Sequence, residues 1–246
     1  MNTAKKVFIA GDNILTSLGF STEENIREIL NNKIGITSVG QESTGPLPAA
    51  VSVVNDDLLE SRFQGMAAER RYSQITAIYT RLEKMLIVSV HDALMKSGLD
   101  PGSNDLVFIL STTKGNIDLL ENKYKLTFNH KRVFLWELAR VVGHFFGFKN
   151  RPLIVSNACI SGLLAILTGA RILKSGHYRH AVIAGADLVS EFVVSGFQSF
   201  QALSPAPCKP FDLNRTGLSL GEGCGTMILS IDPPSAEGVI TEVAGG

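Results

Sequence analysis

The chain has 246 residues, 45% hydrophobic and 19% charged, and its 23 acidic and 23 basic side chains cancel to a formal net charge of zero. That length supports a sizeable core in one large or two smaller domains, and the balanced charge gives no electrostatic basis for binding nucleic acid or an anionic membrane surface. The three cysteines, Cys159, Cys208 and Cys224, are odd in number, widely spaced and without a CxxC pair, which argues against a disulfide framework.

In chain order, Val7 to Ala10 reads as a first strand closed by Gly11. Residues 21–31 predict a helix that Ser21 or Thr22 can cap, with Glu23 and Glu24 at its positive end. Residues 36–65, rich in Gly, Pro and Ser, predict a surface loop carrying one edge strand near Ala50 to Val54. Ile75, Ile78, Leu82, Met85, Leu86 and Val90 recur at three- and four-residue steps, which predicts a helix over 73–97, ended by Gly98. A strand follows at Leu106 to Leu110, then a helix over 131–147 and a strand at 153–156. A helix over 160–175 ends at Gly176, and strands follow at 181–187 and 226–231. Strands that are apolar without polar alternation are covered on both faces, so the alternating order predicts a layered α/β fold with a largely parallel sheet. The helix over 160–175 is apolar on more than one face and is expected to be central. No segment is apolar over the length of a membrane span, and the apolar run in MNTAKKVFIAGDN is too short for a signal-peptide core. The expectation is a reduced, cytoplasmic protein.

Cys159 lies where the strand LIVS gives way to that apolar helix. The first turn of a helix has unpaired backbone N–H groups whose field favours an anion, and the thiolate is the nucleophilic form of cysteine. A strand-to-helix elbow also exposes a side chain at the end of the sheet, where open α/β folds place ligands. Gly162 would let a substrate or another backbone approach closely, and a backbone N–H at the elbow, that of Cys159 itself for instance, would help hold an acyl oxyanion. A buried structural thiol fits the same residues. None of His91, His130, His144, His177 and His180 stands in sequence as the base for Cys159. A serine hydrolase elbow would read Gly-x-Ser-x-Gly, which Ser156-Asn157-Ala158-Cys159 does not. Gly11-Asp12-Asn13 lacks the Gly-x-Gly-x-x-Gly of a dinucleotide site.

Val155-Ser156-Asn157-Ala158-Cys159-Ile160-Ser161-Gly162 resembles the nucleophile motif of the β-ketoacyl-[acyl-carrier-protein] synthases. Lys209-Pro210-Phe211-Asp212-Leu213-Asn214-Arg215-Thr216-Gly217, followed by Leu220-Gly221-Glu222-Gly223-Cys224-Gly225, is similar to the family's second signature, with Lys209, Thr216 and Cys224 replacing the usual Arg, Asp and Ala. The opening VFIAGDNILTSLGFSTEENIREILNNKIGI resembles the family's start. The three matches run in family order over nearly the whole chain, and the paired signatures favour the elongating type.

The resemblance implies a layered thiolase-like fold of the α-β-α-β-α type. Residues 1–246 would form its N-terminal half, with a mostly parallel mixed sheet and a buried helix after the cysteine. It implies an acyltransferase of fatty acid or polyketide-like synthesis, with Cys159 as the catalytic residue, no cofactor and no metal. Cys159 would take an acyl group as a thioester, and a malonyl carrier would lose carbon dioxide and attack it. The implied partners are acyl- and malonyl-loaded acyl carrier protein and either a second copy or another synthase subunit, with no nucleic acid and no membrane span. Asp212, Arg215 and Glu222 would pin the loop between the sheet and the active site. Family members continue into a second half that carries two histidines, in His-Gly-Thr-Gly-Thr and Asn-x-x-x-Gly-His contexts, and neither motif occurs in these 246 residues. The chain alone is therefore expected to be inactive, and a non-catalytic partner or remnant of a condensing enzyme is the alternative. Phe128, Phe134, Trp136, Phe145, Phe146 and Phe148 are expected to help form the acyl pocket and a subunit contact.

Overall fold

The computed structural model describes residues 6–39, 49–69, 77–121, 128–233 and 241–243. A five-stranded sheet is built from β1 (Phe8–Leu15), β4 (Leu106–Ser111), β5 (Leu153–Val155), β6 (His180–Asp187) and β8 (Gly223–Ser230) in the order β1-β8-β6-β4-β5. The sheet is mixed: β6, β4 and β5 run parallel, whereas β8 lies antiparallel to both β6 and β1. A small second sheet joins β2 (Thr37–Val39), β3 (Ala49–Ser52) and β7 (Leu220–Gly221).

All six residues of β4 are buried, which is why its sequence, LVFILS, shows no alternation. Phe108 and Leu110 face α3 (Arg81–Ser97) and α4 (Leu135–Phe146), packing with Leu82, Met85, Leu86 and Val142. Val107 and Ile109 face the other way, towards Ala165, Ala170 and Leu173 of α5 (Ser161–Lys174). Each such Leu, Ile or Phe taken fully out of water contributes roughly 1.5–3 kcal/mol. Helix α5 meets the sheet with small residues, Ala165, Gly169 and Ala170. Its opposite flank stays open, with Leu163 59% exposed. Among the described residues only one face of the helix predicted to be central is covered.

Helix α1 (Thr22–Leu30) is capped by Ser21, whose side chain accepts the Glu24 N–H. Helix α3 starts in a Thr80–Glu83 capping box and ends on Gly98 in the left-handed conformation. Its predicted start, 73–76, lies outside the described residues. The first strand runs on past Gly11 to Leu15 through a register shift between Ile9 and Gly11. Gly11 marks close contact with α3, not a strand end, since a Cβ there would stand 2.6 Å from the Ala93 carbonyl oxygen. The strand expected near Ala50 to Val54 is present as β3, though as the middle strand of the small sheet, and the loop expected around it over 36–65 also holds β2 and most of α2 (Asp56–Ala67). Asn55 caps α2, and only Leu59, Phe63 and Met66 are buried, too thin an apolar stripe to stand out among polar neighbours. Helix α6 (Glu191–Ser199), also absent from the sequence reading, buries only Val194.

The start of α3 is tied down by a buried carboxylate. Glu83 has no exposed surface, and its oxygens accept from Thr80 N (2.8 Å), Asn116 Nδ2 (3.0 Å) and Arg132 Nε (2.8 Å), with Arg132 Nη2 completing a two-pronged pair. This anchors the turn after β4 and the short 3-10 helix His130–Val133 to α3. Glu83→Ala strands Arg132 without its counter-charge, and is expected to lower the unfolding free energy by about 3 kcal/mol in urea denaturation.

Candidate active site

Between the end of β5 and the start of α5 the chain turns within residues 156–160. Ala158 takes φ +44°, a left-handed conformation uncommon for a residue with a Cβ. The turn is closed onto the first residue of α5: the Asn157 N–H donates to Ser161 Oγ (2.7 Å), and Ser161 Oγ donates to the Ala158 carbonyl (2.7 Å). The Ile160 and Ser161 N–H groups bond back to the carbonyls of Asn157 and Ala158 (3.2 Å each). Cys159 stands exposed on the outside of this elbow, just before the N-cap residue Ile160. The predicted junction is present, but β5 is an edge strand of the sheet, and the thiol precedes the helix's first turn rather than lying in it.

The thiol opens into a cavity of ≈ 850 Å³. Ile9, Ile14, Ile183 and Met227 of the sheet and Gly162 and Ile166 of α5 line it. A Cβ on Gly162 would meet nothing within 4 Å, so that side of the helix is open to a ligand or a second backbone. Polar lining comes from Asp12, Thr22, Thr112 and Asp187 among others. Asp187 is solvent-accessible on one side, but the cavity wall shields its carboxyl. Burial pushes its pKa up, against the Thr112 hydrogen bond (3.2 Å) and the charge of Lys114. Its position at the carboxyl end of β6 is where a parallel sheet places ligand contacts, yet no residue pattern around it in the sequence singles it out.

Glu222 lines the same cavity and is buried. Its carboxylate accepts from Arg81 Nη1 (2.5 Å), Val54 N (2.9 Å) and Val189 N (3.2 Å), tying the small sheet and the segment after β6 to the start of α3. This is the pinning role expected of it. Asp212 and Arg215 do not share it. Both are exposed and bond only within their own turn, Asp212 Oδ1 to Asn214 N (2.7 Å) and Arg215 Nη1 to the Asp212 carbonyl (3.1 Å).

Among the described residues no histidine lines the cavity. His91 lies between Glu69 (3.1 Å) and Asp92 (3.2 Å), His130 and His144 are exposed, and His177 bonds Ser175 (2.6 Å). His180, at the opposite end of β6 from Asp187, has its pKa pushed down by burial. None of the aromatic residues expected in the acyl pocket lines the cavity either. Phe145 and Phe146 belong to the core under α4, with Phe148 packed against it, because their side of the helix faces α3 and the sheet. Phe134 and Trp136 stack at 6.0 Å and are about half exposed, free for a contact outside this chain.

The other two thiols differ in setting. Cys208 is half-buried in the 205–219 loop. Cys224 is buried in β8, and burial pushes its thiol up to about 12 against hydrogen bonds with Ser89 and Thr226. Among the described residues no helix is long and apolar enough to cross a membrane.

Several known proteins resemble this chain in structure or sequence. The chain is 18% identical to a chain of the complex of a ketosynthase with its chain length factor from Xenorhabdus doucetiae (TM-score 0.75, covering 95% of this chain and 60% of that one). It is 20% identical to a beta-ketoacyl synthase from Burkholderia phymatum (TM-score 0.72, covering 92% and 59%). By sequence it is 25% identical over 181 residues to nodulation protein E of Rhizobium meliloti, and 27% identical over 153 residues to a probable polyketide synthase of Dictyostelium discoideum. It spans 45% of the former's length and 6% of the latter's. Residues 4–232 match the family described as beta-ketoacyl synthase, N-terminal domain. That match covers all but the ends of the chain, which therefore belongs to the beta-ketoacyl synthase family.

Proposed function

We propose that the chain is the N-terminal half of a β-ketoacyl-[acyl-carrier-protein] synthase of the elongating type. Cys159, exposed on its elbow beside the ≈ 850 Å³ cavity, carries this reading. In the first half-reaction the Cys159 thiolate attacks the carbonyl of an acyl thioester, and the carrier leaves as its thiol. In the second, a malonyl carrier loses carbon dioxide and its enolate carbon attacks the acyl-Cys159 carbonyl. That attack forms the new carbon–carbon bond, and collapse of the tetrahedral adduct expels the Cys159 thiolate. A backbone N–H at the elbow is the candidate oxyanion donor. Decarboxylation needs polar groups facing the malonyl carbonyl, and the cavity offers no histidine for this. We assign that role to the family's histidine-bearing half, joined to this chain or supplied by another, working in the cytoplasm with acyl carrier protein as the substrate carrier.

A subunit contact along β5 completes the proposal. The strand is an edge, and Leu153 (36% exposed) and Ile154 (38%) carry neither charge nor proline to discourage pairing. A second copy, or a synthase partner like the chain length factor in the Xenorhabdus complex, would continue the sheet there. The alternative of a non-catalytic pairing subunit draws on the same edge, but the exposed Cys159 favours the enzyme.

Three outcomes are expected. Iodoacetamide, read residue by residue by mass spectrometry, labels Cys159 first and Cys208 more slowly. Cys224 stays unmodified through pH 10, because its raised pKa keeps it a thiol and burial withholds it. Equal rates at all three would count against an exposed nucleophile. The 246-residue chain mixed with acyl- and malonyl-loaded carrier protein forms acyl-Cys159 without releasing a 3-oxoacyl product. Adding the histidine half restores condensation, and Cys159→Ala abolishes it while leaving the circular dichroism spectrum unchanged. Sedimentation at micromolar concentration shows a dimer that Ile154→Lys dissociates; a clean wild-type monomer would remove β5 as the contact.

A further inference from the structure

The elbow that presents Cys159 is held by a side chain that the mechanism does not use. Ser161 is 5% exposed, the first residue of α5. Its hydroxyl accepts the Asn157 N–H at 2.7 Å and donates to the Ala158 carbonyl at 2.7 Å. The two bonds straddle Ala158, the residue at φ +44°. A residue with a Cβ enters that conformation at a cost and leaves it when nothing opposes the relaxation. Because Cys159 follows directly, the backbone of Ala158 sets the direction of its Cα–Cβ bond. We infer that Ser161 is a positioning residue for Cys159: its hydroxyl locks residue 158 in the left-handed conformation and so aims the thiol into the cavity.

The hydroxyl has one proton to give, and that proton is committed to the Ala158 carbonyl. Ser161 is therefore neither a second nucleophile nor a donor to the acyl oxyanion, although it lines the cavity. Its effect on chemistry runs through backbone geometry alone. That gives it a signature that a general stabiliser of the helix start would lack: the reactivity of Cys159 tracks the hydroxyl, and a glycine at position 158 replaces part of what the hydroxyl does, since glycine occupies positive φ without a Cβ penalty.

The test compares the wild type with Ser161→Ala, Ser161→Thr, Ala158→Gly and the double variant Ala158→Gly/Ser161→Ala. Three rates are read: acylation of Cys159 by a short-chain acyl-pantetheine thioester, its alkylation by iodoacetamide, and amide hydrogen exchange at Asn157. Melting temperatures are measured alongside. Ser161→Ala is expected to slow acylation and alkylation of Cys159 about tenfold, equal to about 1.4 kcal/mol in barrier height, and to speed exchange at Asn157. Ser161→Thr, which keeps the hydroxyl, stays near wild type, and the double variant recovers part of the loss. If Ser161→Ala does not fold, the double variant is read against Ala158→Gly and is expected to react several-fold more slowly. The functional meaning rests on Cys159 being the acyl acceptor. If wild-type Cys159 takes no acyl group, that reading of the protein fails, while alkylation and exchange still decide the role of Ser161. A lowered melting temperature with unchanged Cys159 rates, or threonine behaving as alanine does, overturns the inference.

Discussion

The structure depends on a sheet whose central strands have no solvent face. Strand β4 is buried at every position, and β6 is buried over Ala181–Ala184. Such strands are stable only when helices cover both sides, so α3 and α4 must lie on one face and α5 on the other. The connection through α5 makes β5 and β6 run the same way, and both join β4 in parallel. The carboxyl ends of three strands therefore gather at one edge of the sheet. Thr112, Cys159 and Asp187 stand together at the cavity for that reason, though 75 residues of sequence separate the first from the last.

Charge is spent on the same edge. Two buried carboxylates, Glu83 and Glu222, each take an arginine and at least one backbone N–H, and both hold segments to the start of α3. A buried carboxylate with one donor would be costly; with three or more it fixes geometry. Glu222 holds the wall of the cavity, and Glu83 holds the turn that follows β4. The elbow at Cys159 uses no charge. It is fixed by four short-range bonds among residues 157–161 and by the left-handed backbone at Ala158. Rigidity is thus concentrated around a thiol that is itself left open.

Much of this was legible in the residues. The apolar runs at 106–110 and 181–184 identified strands covered on both faces, and the three- and four-residue recurrence from Leu82 to Val90 identified α3. The Ser21 cap, Gly98 and the two signatures around Cys159 and Glu222 lie where local chemistry requires them. Other elements were not legible because their signal is weak or non-local. Helices α2 and α6 bury three residues and one residue respectively, so no stripe marks them. Gly11 reads as a strand end, yet it is a close contact with Ala93, which only the packed structure reveals. Asp212, Arg215 and Glu222 look alike as charged members of one signature, and only Glu222 lies within reach of Arg81 and the β3 edge. The aromatic segment reads as pocket lining, but one side of α4 turns Phe145 and Phe146 into the core and leaves Phe134 and Trp136 outside.

By itself the sequence determined the family and the layered α/β class, because both are written in local patterns: apolar runs, caps, and the motif around a cysteine between a strand and a helix. It did not determine which side chains meet Cys159. That was decided by tertiary structure, since strand order, sheet register and the approach of α5 bring together residues as distant as Ile9 and Met227. Local pattern follows from backbone periodicity and the burial of single elements, whereas the site follows from how separate elements pack, which adjacent residues do not encode.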